Sequence, residues 1–261
     1  MKYLNNSFHT CFMNLNLSNT EFSRNDFRNK VKIPTELTPQ LAEFLGIMIG
    51  VGHIEDRKRK DRNSENVYEM QITGNIIDKN YYTKYVNPLI KRLFNVKFKI
   101  IERKSSNSLV LFKNSKAIHS FLKNEIGLIA RKHNVRIPKI IMKSRLDSKA
   151  AFLRGLFDAD FCLVIKYKPN AYPVVQGCAK SDLLIKDVHV LLNQLGIISC
   201  TFKEEIFDKR TNRVYSKQCI YINGRKRVEK YMKKIGFSNE NKVEKYRKFM
   251  ENEYRQPKKR T

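Results

Sequence analysis

Apolar residues gather most densely in two stretches, 44–52 and 153–161, that lie 109 residues apart and share one internal order. In register, Gly46 falls on Gly155, Gly50 on Ala159 and Val51 on Asp160. The small residues of each copy are four apart and so share one helical face, where they would let two helices touch closely. Thr38-Pro39 supplies a cap and a first-turn proline ahead of the first stretch, and Gly52 marks its end. Beyond it the period changes to two: Tyr68, Met70 and Ile72 alternate with Glu69, Gln71 and Thr73. The pattern predicts strands over 53–60 and 67–73, a helix over 78–94, strands over 96–103 and 109–113, and a helix near 115–124. The second half repeats this order, with a helix over 148–159, strands near 162–168 and 174–179, a helix over 181–195, strands over 199–207 and 214–222, and a final helix from Arg225. Residues 114–127 also match 223–236 at the same offset. A duplicated αββαββα unit of the α+β class accounts for all of this.

Composition adds boundaries and a partner. Residues 1–35, rich in Asn and Ser, read as an N-terminal extension. The first repeat is expected over 36–134, a linker over 135–147, the second repeat over 148–255, and a basic tail over 256–261. With 41% apolar residues in 261, each half can build a core. The formal charge of +27 exceeds what solubility requires and points to a polyanion, nucleic acid first among them. The five cysteines, odd in number and without C-x-x-C spacing, read as reduced thiols. The histidines include no H-x-x-x-H pair that would suggest zinc. No apolar run is long enough for a bilayer, so an intracellular protein is expected, in a prokaryotic cytoplasm or an organelle.

At its paired stretches the chain resembles the LAGLIDADG homing endonucleases, in the monomeric form with two motif copies. Residues 152–160 (FLRGLFDAD) and 41–50 (LAEFLGIMIG) carry the resemblance, which extends over roughly 38–250. It implies a pseudo-twofold fold: two motif helices form a seam through Gly46, Gly50, Gly155 and Ala159, and each half contributes a four-stranded antiparallel saddle to the major groove of double-stranded DNA. On those saddles Gln71, Lys97, Lys99 and Arg103 in one half, and Lys166, Gln176, Lys203 and Lys217 in the other, are the expected DNA-binding residues. Lysines would hold phosphates, while Gln and Arg could read bases.

The family also implies a divalent metal, usually Mg²⁺, held by the last acid of each motif and by backbone carbonyls, here Asp160 with Gly50 and Ala159. Such an ion prefers oxygen ligands and lowers the pKa of a bound water. Two positions depart from the pattern. Val51 stands where the first motif has its acid, and Phe161 where glycine usually follows the second. Lys132 and Lys242 are the expected basic residues near the active sites. The expected activity is sequence-specific DNA binding, with cleavage impaired or reduced to nicking by Val51. The alternatives are a non-cleaving intron RNA maturase or a DNA-binding regulator of the same descent.

Overall fold

The computed structural model describes residues 13–58, 66–128, 134–167, 170–208 and 212–255. In chain order its elements are β1 (Met13–Asn14), α1 (Arg24–Arg28), β2 (Glu36–Leu37), α2 (Pro39–Val51), β3 (Gly52–Lys58), β4 (Asn66–Asn75), α3 (Asn87–Phe94), β5 (Lys99–Arg103), β6 (Ser108–Asn114), α4 (Lys116–Ser120) and α5 (Lys139–Lys143). There follow α6 (Leu146–Ala159), β7 (Cys162–Lys166), β8 (Tyr172–Ala179), α7 (Asp182–Gln194), β9 (Cys200–Asp208), β10 (Arg213–Asn223), α8 (Arg225–Lys234) and α9 (Glu240–Arg255). A π-helical turn, Tyr81–Val86, runs into α3.

Two four-stranded antiparallel sheets form, in the orders β3-β4-β6-β5 and β7-β8-β10-β9. These orders match strand for strand, as duplication requires. Between the sheets α2 and α6 pack along their lengths, burying Phe44, Leu45, Phe152, Leu153 and Leu156 completely. Each such side chain contributes about 1.5–3 kcal/mol relative to exposure. Small residues make the approach possible. A methyl on Gly46 would collide with the carbonyl oxygen of Phe152, and one on Gly155 with that of Glu43.

Helix α2 starts as its sequence predicts, with the Thr38 hydroxyl accepting from the Leu41 N–H at 3.2 Å and proline in the first turn. Strand ends differ from expectation by a few residues. The strand expected from residue 96 begins at Lys99, because Val96 and Phe98 turn inward to the core and the Asn87 side chain bonds both backbone groups of Phe98.

Three readings need correction. The segment taken as an extension is built into the first half from residue 13 onward: Asp26, 1% exposed, accepts from the Ser115 hydroxyl at 2.6 Å and the Ala117 N–H at 3.2 Å. The region read as a linker is packed as well. Val135 and Ile137 are buried, and Arg136 makes a bidentate pair with Asp187 of α7. Finally, Cys178 and Cys219 are directly opposed across β8 and β10 with Cα atoms 4.1 Å apart, and they form a disulfide rather than two reduced thiols. Their spacing of 41 residues carries no signal of this in sequence. Cys162 and Cys200 are free and exposed.

Candidate nucleic-acid interface and metal position

The seam ends where the two motifs end. Asp160 is the C-cap of α6, its N–H bonded to the Leu156 carbonyl at 3.0 Å and its side chain exposed. Gly50 lies against it: a Cβ at that position would stand 3.1 Å from the Ala159 Cβ and 3.2 Å from the Asp160 Cβ. Val51, the last residue of α2, is half-buried and packs on the core. One carboxylate and one isopropyl group therefore occupy matched helix ends. The isopropyl group offers a cation no lone pair.

A carboxylate at a helix C-terminus meets the negative end of the helix dipole. Lys242 of α9 offsets this. Its ammonium donates to the carbonyls of Phe157, Asp158 and Phe161 at 2.8, 2.7 and 2.6 Å, which accounts for all three of its protons. Burial lowers the Lys242 pKa, while Asp158, Asp78 and Asp160 pull it the other way. The structure thus has Lys242 next to Asp160 and holding the end of α6, which is a positioning task. Lys132 lies outside the described residues.

Behind Asp160 a polar network joins the halves. Asp158 is 2% exposed and accepts from the N–H groups of Ser238 and Asn239 at 2.7 and 3.2 Å. Burial pushes its carboxyl up to about 7, against the pull of Lys242 and of those two N–H groups. The side chains of Asn239 and Asn241 reach over to Asp78 of the first half at 3.0 and 2.9 Å. Tyr82 is held neutral by burial, with Asp78, Asp158 and Asp160 adding to the effect. Further along the seam Glu43, 2% exposed, accepts a bidentate pair from Arg154 at 3.1 and 2.6 Å, and also the hydroxyls of Tyr85 and Ser238. None of Asp158, Asn239, Glu43 or Arg154 was singled out from sequence. Their signal was present: Glu43 and Arg154 are lone charges inside apolar helical stretches, and such groups are rarely buried without a partner.

Strand register assigns the remaining residues to faces. Gln71 is opposite His53 and Phe112, and Phe112 is opposite Lys99, so these share the sheet face turned away from the helices, with Arg103 further along β5. Lys97 precedes β5 in extended, exposed chain. In the second sheet Gln176 faces Cys162 and Tyr221, which places Lys166 and Lys217 on that same side. Lys217 pairs with Glu204 at 3.3 Å, and the Lys166 ammonium sits 5.5 Å from the Tyr221 ring centre. Lys203 is opposite Gln218 and belongs to the other face of the sheet. It is not brought together with the rest, because the β9 residues that point outward are the even-numbered ones, among them Cys200, Phe202, Glu204 and Ile206.

Comparisons with known proteins converge on one fold. Residues 147–236 match the model of a LAGLIDADG-like domain. The structure superposes on I-DmoI in complex with DNA and Mn with a TM-score of 0.53 and 22% identity, covering 77% of this chain and 98% of that one. It superposes on the I-LtrWI LAGLIDADG homing endonuclease bound to target DNA with a TM-score of 0.51 and 13% identity, over 82% and 89% of the two chains. Curated relatives include, from Methanocaldococcus jannaschii, a glutamine–fructose-6-phosphate aminotransferase, 27% identical over 223 residues, and a replication factor C small subunit, 30% identical over 221 residues. The chain covers 84% of itself in both matches but spans only 18% and 10% of those two proteins.

Proposed function

We propose that this chain, which has the fold of the single-chain LAGLIDADG homing endonucleases, is a sequence-specific double-stranded DNA binding protein whose metal-dependent hydrolysis is confined to one strand. The carrying observation is the matched pair of helix ends. Asp160 is exposed at one, braced through Lys242, and Val51 stands at the other. The outward sheet faces bear Gln71, Lys99 and Arg103 on one side and Lys166, Gln176 and Lys217 on the other. Together with a charge of +27 they suit a duplex backbone and its major groove. The same kind of segment recurs within larger proteins of unrelated activity, which supports a self-contained module.

The donor set fits one hard divalent cation, Mg²⁺ in this reading. Asp160 would be its side-chain ligand, with the backbone of Gly50 and Ala159 adjacent. When bound, the cation supplies charge neutralisation at the phosphate and a water of lowered pKa. The residues of the chain do the rest. Lys242 fixes the end of α6, Gly50 allows Asp160 to sit at the seam, and the two saddles hold the duplex in register above it. Val51 leaves the first half without an equivalent ligand.

The test uses supercoiled plasmid carrying a duplex selected by this protein from a random pool, with Mg²⁺ present. The native chain should give open circles, Asp160→Asn should slow this at least about a hundredfold, or roughly 3 kcal/mol of barrier, and Val51→Asp should yield linear DNA. Linear product from the native chain would overturn the one-strand reading. Duplex binding should also fall by about 10³- to 10⁵-fold between 50 and 200 mM salt if six to ten phosphates are contacted.

A further inference from the structure

The outward faces of the two sheets differ in chemistry more than their shared topology requires. On the first, His53, Gln71, Thr73, Asn75, Lys99 and Arg103 surround a smaller apolar group, Ile101 and Phe112. On the second the exposed or half-exposed residues include Val164, Tyr172, Phe202, Ile206, Tyr215 and Tyr221. Phe202, on the edge strand β9, and Tyr215, where β10 pairs with β9 alone, are 42% and 43% exposed. They are organised. The rings of Phe202 and Tyr221 stack at 4.7 Å with an interplanar angle of 24°, and the Lys166 ammonium lies over the Tyr221 ring at 5.5 Å. Glu204 and Lys217 neutralise each other beside them.

Resting on the DNA-binding reading above, we infer that the second saddle recognises a thymine-rich half-site through the 5-methyl groups, while the first reads its half-site by hydrogen bonds. The argument is one of matching surfaces. Of the groups that the four bases present in the major groove, the thymine methyl is the apolar one; the others are hydrogen-bond donors or acceptors. Exposed Phe202 stacked on half-buried Tyr221, next to Lys166, fits a groove whose walls are phosphate and whose floor carries methyls. A face that read donors and acceptors would leave those groups desolvated against Phe202 and Tyr221, at a cost for each unpaired group. Both faces carry side chains able to make bidentate base contacts, Gln71 and Arg103 on the first and Gln176 and Arg213 on the second, and the second adds the aromatic stack.

The test starts from the duplex that the full chain selects from a random pool, and replaces each thymine in turn by deoxyuridine, which removes only the methyl. Methyls that contact the second saddle should each contribute about fourfold in Kd. That dependence should vanish at the same positions in Phe202→Ala, whose side chain lies outside the core, and should be reduced in Tyr221→Ala. Gln71→Ala should leave the methyl dependence intact and relax base preference in the opposite half. Phe202→Leu, which keeps an apolar group, should retain part of the effect and serves as control if the alanine variant folds poorly. Tight, salt-sensitive binding indifferent to every methyl would overturn this inference alone. Absence of salt-sensitive duplex binding would overturn it together with the reading it rests on.

Discussion

The ends of α2 and α6 occupy matched places and are stabilised by different means. Helix α2 closes on Ile49, Gly50, Val51 and Gly52, with the Gly52 N–H returning to the Met48 carbonyl. Helix α6 closes on Asp158, Ala159 and Asp160, and around it are Lys242, Ser238 and Asn239, all from residues after the second sheet. The difference teaches what a carboxylate at a helix end requires. Where the acid remains, a buried scaffold of hydrogen bonds accompanies it; where valine replaced it, the adjoining inner acid is isoleucine as well.

Three substitutions would break or sharpen this contrast. The largest effect is expected from Arg154→Met, which leaves Glu43 buried without its cation and should cost about 4 kcal/mol in urea unfolding. Much of that loss should return when Glu43→Gln is added, and a double variant no better than the single would mean that packing, not charge, dominates. Next, Lys242→Met strips three carbonyls of their donor at the end of α6. It should lower stability by roughly 3 kcal/mol and, with it, slow any cleavage that depends on Asp160. Unchanged stability would show that those carbonyls find other partners. Smallest is Gly50→Ala, which gives the first helix the residue the second already has. Its methyl would sit 3.1 Å from that of Ala159, so a shift of a few tenths of an ångström offsets the gain in helix propensity. The unfolding midpoint should move by less than about 1 kcal/mol, and a far larger loss would mean the seam is tighter at its end than these distances imply.

Periodicity made the architecture legible in the sequence. Small residues four apart announce the seam, and alternation announces each strand, because both are local properties of a face. The site was legible only in part. Asp160 and Val51 stood out by register, but Lys242 contacts Phe157, Asp158 and Phe161 across more than 80 residues, and no spacing encodes that. Lys203 was assigned to the wrong face because a lysine on a strand suggests the wet side. In the edge strand β9, Phe202 points outward and Lys203 to the other face, and both are exposed, so polarity there does not report direction. Helix α9 is a separate element from α8, the chain turning between them at Gly236, whose φ is positive. Short α1 escaped because five residues carry too little periodicity, although its Ser23–Asp26 capping box is a recognisable start signal.

The Glu43–Arg154 pair has a consequence for how such a chain can evolve. Under the pseudo-twofold axis the counterpart of Glu43 is Phe152, and that of Arg154 is Leu45. Two copies of the first half, joined through the same helix, would bury Glu43 with no arginine opposite. Two copies of the second would bury Arg154 with no acid. The pair thus works as a lock of opposite polarity: each half accepts the other and rejects itself. A gene fused from two equal halves could once have been split back into a homodimer, but with this lock in place that route is closed.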